Sequence, residues 1–312
     1  MKLLKQILLF VSILFVVFYV LDIVFTSVFK NGYYNKTQWI NQLENREFDY
    51  IIHGNSRAYT TIDVGRLNKE TGLHGLNISV DGSSITEQSL MVQMFFAKKN
   101  KTKALFLEID FWTDSVSGTS SINLERVSKF DIPKFFPYLK EDLVFDHYKD
   151  FGAAWYVYRY IPFYRYAEYN SIWGPHQIAI DMFHLLKPEY DQNGGHFYTN
   201  FDYKGDTTIK RMPFDSKGNF KYLNRIIAEC EKNNMKLVCF TSPVANIRVD
   251  KEYFDSIETL RQMLASKNVQ YHNFAHIFSG QFEKFIDETH INPRGVAAYH
   301  DTIQNLVMTY CK

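Results

Sequence analysis

The chain has 312 residues, 46% hydrophobic and 17% aromatic, with 35 Lys and Arg against 34 Asp and Glu for a net charge of +1. That length allows one large domain, or one domain carrying a sizeable insertion, with enough apolar side chains for a full core. The balanced charge lacks the basic excess of a nucleic-acid-binding protein, so nucleic acid is not an expected partner.

The first element in chain order is apolar. After the basic start Met1-Lys2-Leu3-Leu4-Lys5, residues 7–29 are broken only by Ser12, Asp22, Thr26 and Ser27. At about 1.5 Å per residue such a helix reaches ~35 Å, enough to cross a hydrocarbon layer of ~30 Å. A cleaved signal peptide is the competing reading; it has an apolar core of about 7–15 residues followed by a small-residue cleavage site. This stretch is longer and no such site follows, which favours an uncleaved single-span membrane anchor. Asp22 is costly near a bilayer centre. It is expected towards the outer end of the span, at the interface or against a partner helix. Lys2 and Lys5 favour an inside start, although Lys30, Lys36 and Arg46 flank the other side. The remaining chain is therefore expected outside the cytoplasm. Residues 1–30 read as a cytoplasmic start and anchor, residues 31–47 as a polar tether, and residues 48–312 as the folded domain.

From residue 48 the signals alternate. Residues 48–53 (FDYIIH), 75–80 (GLNISV), 104–109 (ALFLEI), 236–241 (KLVCFT) and 269–274 read as strands, by their apolar and β-branched content. Residues 64–69, 84–98, 219–234, 251–266 and 293–310 read as helices, the last with Asn292 as N-cap and Pro293 at the first position. Strands alternating with helices predict an α/β fold, a parallel sheet covered on both faces. Residues 111–214 break the rhythm and are too long for a plain loop. They hold Trp112, Trp155, Tyr156, Tyr158, Tyr160, Phe163, Tyr164, Tyr166, Tyr169 and Trp173. They read as an aromatic-rich insertion after the third strand, with core packing the main use of its rings. Ligands bind such sheets outside the carboxyl ends of the strands, so the insertion is expected over the site. Gly194-Gly195-His196 reads as a turn or a loop near that site.

Two patterns carry chemistry. Gly54-Asn55-Ser56-Arg57 follows the first strand, which holds Ser56 at the carboxyl edge of the sheet, either as a nucleophile or as a helix cap. Asp287-Glu288-Thr289-His290 precedes the last helix. An Asp three residues before a His can accept from one ring nitrogen and leave the other as general base. Arg57 reads as a contact for an acidic substrate group, a partner of Asp110, or a surface cation. Cys230, Cys239 and Cys311 form no CxxC pair and no His cluster joins them, so neither zinc nor a disulfide framework is expected. No GxGxxG, P-loop or HExxH pattern is present, and no cofactor is expected.

These blocks resemble the SGNH/GDSL hydrolase superfamily. Gly54-Asn55-Ser56 is similar to its Gly-Asp-Ser block, with Asn for Asp. Asn77-Ile78-Ser79-Val80-Asp81-Gly82 is similar to its second block, and Asp287-x-x-His290 to its last. The resemblance implies a three-layer, flavodoxin-like sheet, with Ser56 as nucleophile, His290 as base, Asp287 orienting it, and an oxyanion hole from the N–H groups of Ser56 and Gly82. The third block departs from the family. Asp110 falls about where the family has an Asn that donates to the oxyanion, and an ionised carboxylate only accepts. Either Asp110 is protonated, or it takes another role such as binding Arg57, or the hole has backbone donors alone. Together with the anchor and Thr241-Ser242-Pro243, the blocks look similar to a branch of membrane-anchored proteins that work with membrane-bound O-acyltransferases. That branch includes the D-alanyl-lipoteichoic acid transfer protein and polysaccharide O-acetylation proteins. What it implies is an extracytoplasmic acyltransferase or esterase acting on a cell-surface glycan or other envelope polymer. A non-catalytic scaffold protein that binds a glycan or such an acyltransferase is the alternative.

Overall fold

A computed structural model of the chain describes residues 1–109, 113–114, 132–149, 154–212, 214 and 220–312. In chain order, α1 (Lys2–Lys30) and α2 (Lys36–Asn41) precede β1 (Glu47–His53), α3 (Ser56–Thr61), α4 (Val64–Thr71), β2 (Gly75–Asn77), α5 (Ile85–Ala97), β3 (Lys101–Glu108) and the short β4 (Thr113–Asp114). Short helices follow: α6 (Ile132–Phe135), α7 (Asp142–Tyr148), α8 (Ala154–Tyr160), α9 (Tyr164–Glu168), α10 (Asn170–Trp173) and α11 (Pro175–Phe183). Then come β5 (Lys210–Arg211), α12 (Lys221–Lys232), β6 (Lys236–Thr241), α13 (Lys251–Ala265), β7 (Gln270–Asn273) and α14 (Pro293–Cys311). These elements form two units. Met1–Leu43 joins Ser128–Glu189 in one, and Glu44–Val127 joins Tyr190–Lys312 in the other.

The second unit is built on a five-stranded parallel sheet of order β2-β1-β3-β6-β7. Side chains alternate across the sheet. Tyr50, Ile52, Phe106, Val238 and Phe240 pack on one face with Ala58, Leu67, Tyr299, Ile303 and Val307 from α3, α4 and α14. Ile51, Leu105, Leu107, Leu237 and Cys239 fall on the other face and are also buried. On that side His53 Nε2 meets the Gln88 carbonyl of α5 at 3.1 Å, and α5 packs against α12. Burial on both faces explains why these strands read as continuous apolar runs. Each fully buried Leu, Ile or Phe contributes about 1.5–3 kcal/mol.

The expected strands and helices are present with small shifts of their ends. The strand expected over 75–80 forms a regular ladder only over Gly75–Asn77. Beyond it, Ile78 N–H still donates to the Ile52 carbonyl at 2.8 Å and Val80 N–H to the Gly54 carbonyl at 3.2 Å, so the chain stays tied to β1 as it leaves the ladder. β1 and β3 are adjacent while β2 lies on the far side of β1, so the order reverses between β1 and β3. In sheets of this kind ligands bind at that reversal, outside the carboxyl ends of the strands.

The first unit is helical. Residues 2–20 of α1 are exposed around the whole helix, and the helix is long and apolar enough to cross a membrane. Its last third is different: Asp22, Phe25 and Phe29 are buried. Phe29 meets Trp173 edge-on at 5.1 Å, and Phe25 packs on Tyr166 at 5.3 Å. Asp22 Oδ1 accepts from Arg165 Nη2 at 3.1 Å and from the Phe163 N–H at 3.2 Å, and Oδ2 pairs with Lys140. The acid placed in the apolar stretch is thus neutralised by its own chain. The expected tether over 31–47 is not a loose segment. It contains α2, whose Gln38 donates to the Phe29 carbonyl and to Asp181 Oδ2, both at 3.0 Å, and it enters β1 at Glu47. The expected insertion is also divided: Ser128–Glu189 belongs to the helical unit, whereas the chain from Tyr190 returns to the sheet unit. Of its rings, Tyr158, Tyr166 and Trp173 are buried, and Tyr156, Tyr160 and Tyr164 are exposed.

Candidate active site

Ser56 is placed by the turn from β1 into α3. Asn55 caps α3, its side-chain oxygen accepting from the Arg57 N–H at 2.9 Å, so Ser56 is the first helical residue. Gly54 permits the close approach beneath it. A Cβ there would lie 2.7 Å from the Glu108 Cβ and 2.9 Å from the Ala58 Cβ, far inside van der Waals contact. The Gly54 carbonyl accepts from Val80 N–H and from Ser83 Oγ, each at 3.2 Å. Those bonds fix the loop after β2 beside the serine. Asn77 adds another tie, donating to the Ala58 carbonyl at 2.9 Å. In this loop Gly82 has φ +67° and open space where a side chain would stand. Neither the Ser56 N–H nor the Gly82 N–H has an acceptor among the described residues.

The second half of the site is the loop between β7 and α14. A bridge between Phe285 and Ile291, with Ile286 N–H donating to the His290 carbonyl at 2.9 Å, closes it into a narrow hairpin. Asn292 caps α14 through the N–H groups of Arg294 and Gly295 at 2.9 and 3.1 Å. Inside the loop Asp287 Oδ1 accepts from the N–H groups of Thr289 and His290 at 2.9 and 2.8 Å. His290 Nδ1 lies 2.9 and 2.8 Å from the two Asp287 oxygens, and His290 Nε2 lies 2.8 Å from Ser56 Oγ.

Burial opposes the charge on Asp287, but the hydrogen bond and charge of His290 and the two backbone N–H groups outweigh it. They hold the carboxyl down at about 2. With Asp287 ionised, the Nδ1 proton points to it and Nε2 is left to accept from the serine hydroxyl. All three contacts fall within the range a general base and its orienting acid need, about 2.6–3.2 Å. The structure therefore brings Ser56, Asp287 and His290 together from residues 234 positions apart in the chain, and Gly82 sits in the loop tied to the same turn.

A strap over residues 190–206 flanks the dyad loop. Lys204 N–H donates to the Ile286 carbonyl and Asp206 N–H to Glu288 Oε1, both at 2.7 Å. The Tyr198 ring meets the His290 ring edge-on at 5.9 Å, and the His196 ring lies between Tyr198 and Tyr59 at 5.8 and 5.6 Å. Burial, with the charges of Asp81 and Asp287, pushes the Tyr198 hydroxyl up. The sequence singled out His196 with its two glycines but not Tyr198, because nothing in a lone tyrosine marks it as a neighbour of residue 290.

Arg57 is buried. It is neither a surface cation nor open to substrate: it is 2% exposed. Its guanidinium lies 3.4 Å from Glu108 Oε1 and donates to the carbonyls of Ser242 and Pro243, the latter at 3.0 Å. Among the described residues an acid that pairs with it is Glu108, at the end of β3, whose side chain faces α3. Asp110 lies outside the described residues. No known protein family and no curated protein matches the chain.

Proposed function

We propose that this chain is a membrane-anchored, extracytoplasmic serine acyl-ester enzyme of the SGNH/GDSL type. The observation that carries the reading is the continuous hydrogen-bonded path from Ser56 Oγ through His290 to Asp287, at 2.8 Å on each side of the ring. Ser56 attacks an ester carbonyl as His290 Nε2 takes its proton. The resulting oxyanion is held by the N–H groups of Ser56 and Gly82. Each donor of this kind contributes about 2.7–4 kcal/mol to the transition state. The tetrahedral intermediate collapses, the ester C–O bond breaks, and His290 passes the proton to the leaving alkoxide. An acyl group is then left on Ser56. A second hydroxyl, from water or a sugar, attacks that acyl-enzyme with His290 again as base, and the proton returns to Ser56. Water gives an esterase and a sugar hydroxyl an acyltransferase. The anchor supports a substrate at the cell envelope, a surface glycan or polymer, with a membrane-bound O-acyltransferase as the partner that supplies the acyl group.

The test uses the full-length protein in detergent micelles with p-nitrophenyl acetate. Release of p-nitrophenol that is lost in Ser56→Ala and in His290→Ala supports the enzyme. A further rise on adding a glycan acceptor identifies transfer. A folded native protein that releases none points instead to the scaffold role.

A further inference from the structure

α1 changes character along its length. Residues 2–20 are bare, while from Asp22 onward one face is covered by the helical unit. The turn joining α8 and α9 meets α1 at that boundary. Phe163 N–H donates to Asp22 Oδ1 at 3.2 Å, and its ring stacks on Phe18 at 6.1 Å and meets Phe25 edge-on at 4.8 Å. Within three residues of Phe163 stand Tyr160, Ile161 and Tyr164, which are 60%, 50% and 40% exposed. Tyr156 lies one helical turn earlier, is 56% exposed, and stacks on Tyr160 at 6.2 Å.

We propose that Tyr156, Tyr160, Ile161 and Tyr164 form a collar that binds the interfacial layer of a lipid bilayer around α1. The proposal rests on reading α1 as a membrane span. Two features of the helix name lipid as the occupant. The bare section before Asp22 is about 20 residues when its basic start is included, with Lys2 and Lys5 at the far end able to snorkel to the opposite interface; at about 1.5 Å each it reaches ~30 Å, the thickness of a hydrocarbon core. The bilayer boundary therefore falls where Asp22 meets Phe163, and the collar is continuous with the bare helix through the Phe18–Phe163 stack. The side chains fit that depth, since a tyrosine has an apolar ring and a hydroxyl that seeks water. Lys140 and Arg165 meet Asp22 at the same level, so the acid enters the boundary as part of an ion cluster. Met182, Phe183, Leu185 and Leu186 are exposed as well. The Leu186 carbonyl accepts from Tyr33 Oη at 2.6 Å, beyond the end of α1, so these residues are not counted in the collar.

The test places nitroxide labels on the full chain in vesicles of phosphatidylcholine and phosphatidylglycerol. Tyr160→Cys, Tyr164→Cys and Val11→Cys are each made with Cys311→Ser; Cys230 and Cys239 are buried and stay unlabelled. Collisions with oxygen and with an aqueous nickel chelate give depth. The collar predicts oxygen in excess at positions 160 and 164, at a depth shallower than position 11. Nickel in excess at 160 and 164, with position 11 deep, overturns the collar and leaves the span. A label shielded from both reagents and immobilised marks a protein occupant and overturns the lipid assignment. Nickel in excess at position 11 overturns the span, and the collar with it.

Discussion

Replacing Asp287 by Asn isolates the orienting half of the relay. The native carboxylate receives the His290 Nδ1 proton and the N–H groups of Thr289 and His290. An asparagine keeps one oxygen for the backbone but turns an NH2 group towards Nδ1. The ring then holds its proton on Nε2, and the 2.8 Å contact with Ser56 no longer accepts the serine proton. A wrong tautomer of this kind costs about 10,000-fold in kcat, or about 5 kcal/mol of barrier. Stability changes much less. The Asp287 carboxyl is held at about 2 against its ordinary 3.8, a gap that converts to about 2 kcal/mol before screening. The side chain is 35% exposed, and solvent screening brings this to about 1 kcal/mol. Because the folded value is the lower one, that stability is present above the ordinary value and is lost as pH falls through about 2. Asp287→Asn should therefore be about 1 kcal/mol less stable at neutral pH, with the gap to the native protein closing between pH 4 and pH 2. Turnover of p-nitrophenyl acetate and urea unfolding followed by circular dichroism measure the two effects. A folded variant whose kcat stays within tenfold of native would refute the orienting role.

Arg57→Met should act on folding. It removes the cation that pairs with Glu108, 1% exposed, and breaking such a buried pair costs about 3–5 kcal/mol; a change confined to KM with unchanged urea stability would show that Arg57 serves substrate instead. Gly54→Ala pushes a methyl into Glu108 and Ala58 and should cost about 1–3 kcal/mol, with Ser56 displaced and turnover reduced; native urea stability and turnover would show that the turn yields freely. Gly82→Ala meets no atoms but must hold φ +67°, so it should lose about 1–2 kcal/mol while keeping its N–H and most of its activity. Loss of activity without loss of stability would show that the Gly82 loop needs more than that N–H.

The sheet was legible because its strands are buried on both faces. Runs such as residues 104–109 and 236–241 have no other use in a chain of this composition. Asn292 and Pro293 marked the start of α14 through groups that act within one turn. The residues of the candidate site could be singled out through local pattern and chain order, Gly54-Asn55-Ser56 after the first strand and Asp287-x-x-His290 before the last helix. What escaped depends on contacts distant in sequence. Arg57 faces a buried carboxylate because Glu108 is on the α3 side of β3, a consequence of strand register. Tyr198 reaches His290 because backbone bonds between the strap and the dyad loop, from Lys204 and Asp206, carry no side-chain signature. The polar stretch over 31–47 read as a tether because Lys36, Thr37, Gln38 and Asn41 look solvated. They are buried in α2 instead, where Gln38 finds Asp181 from a segment 143 residues away.

The role proposed for Ser56 is that of a nucleophile activated by His290. Its most direct test is reaction of the full-length protein with a fluorophosphonate probe, followed by peptide mass mapping. One adduct is expected, on the peptide carrying Ser56, absent in Ser56→Ala and strongly slowed in His290→Ala and Asp287→Asn. A folded native protein that takes up no probe, or an adduct that persists in Ser56→Ala, would contradict it.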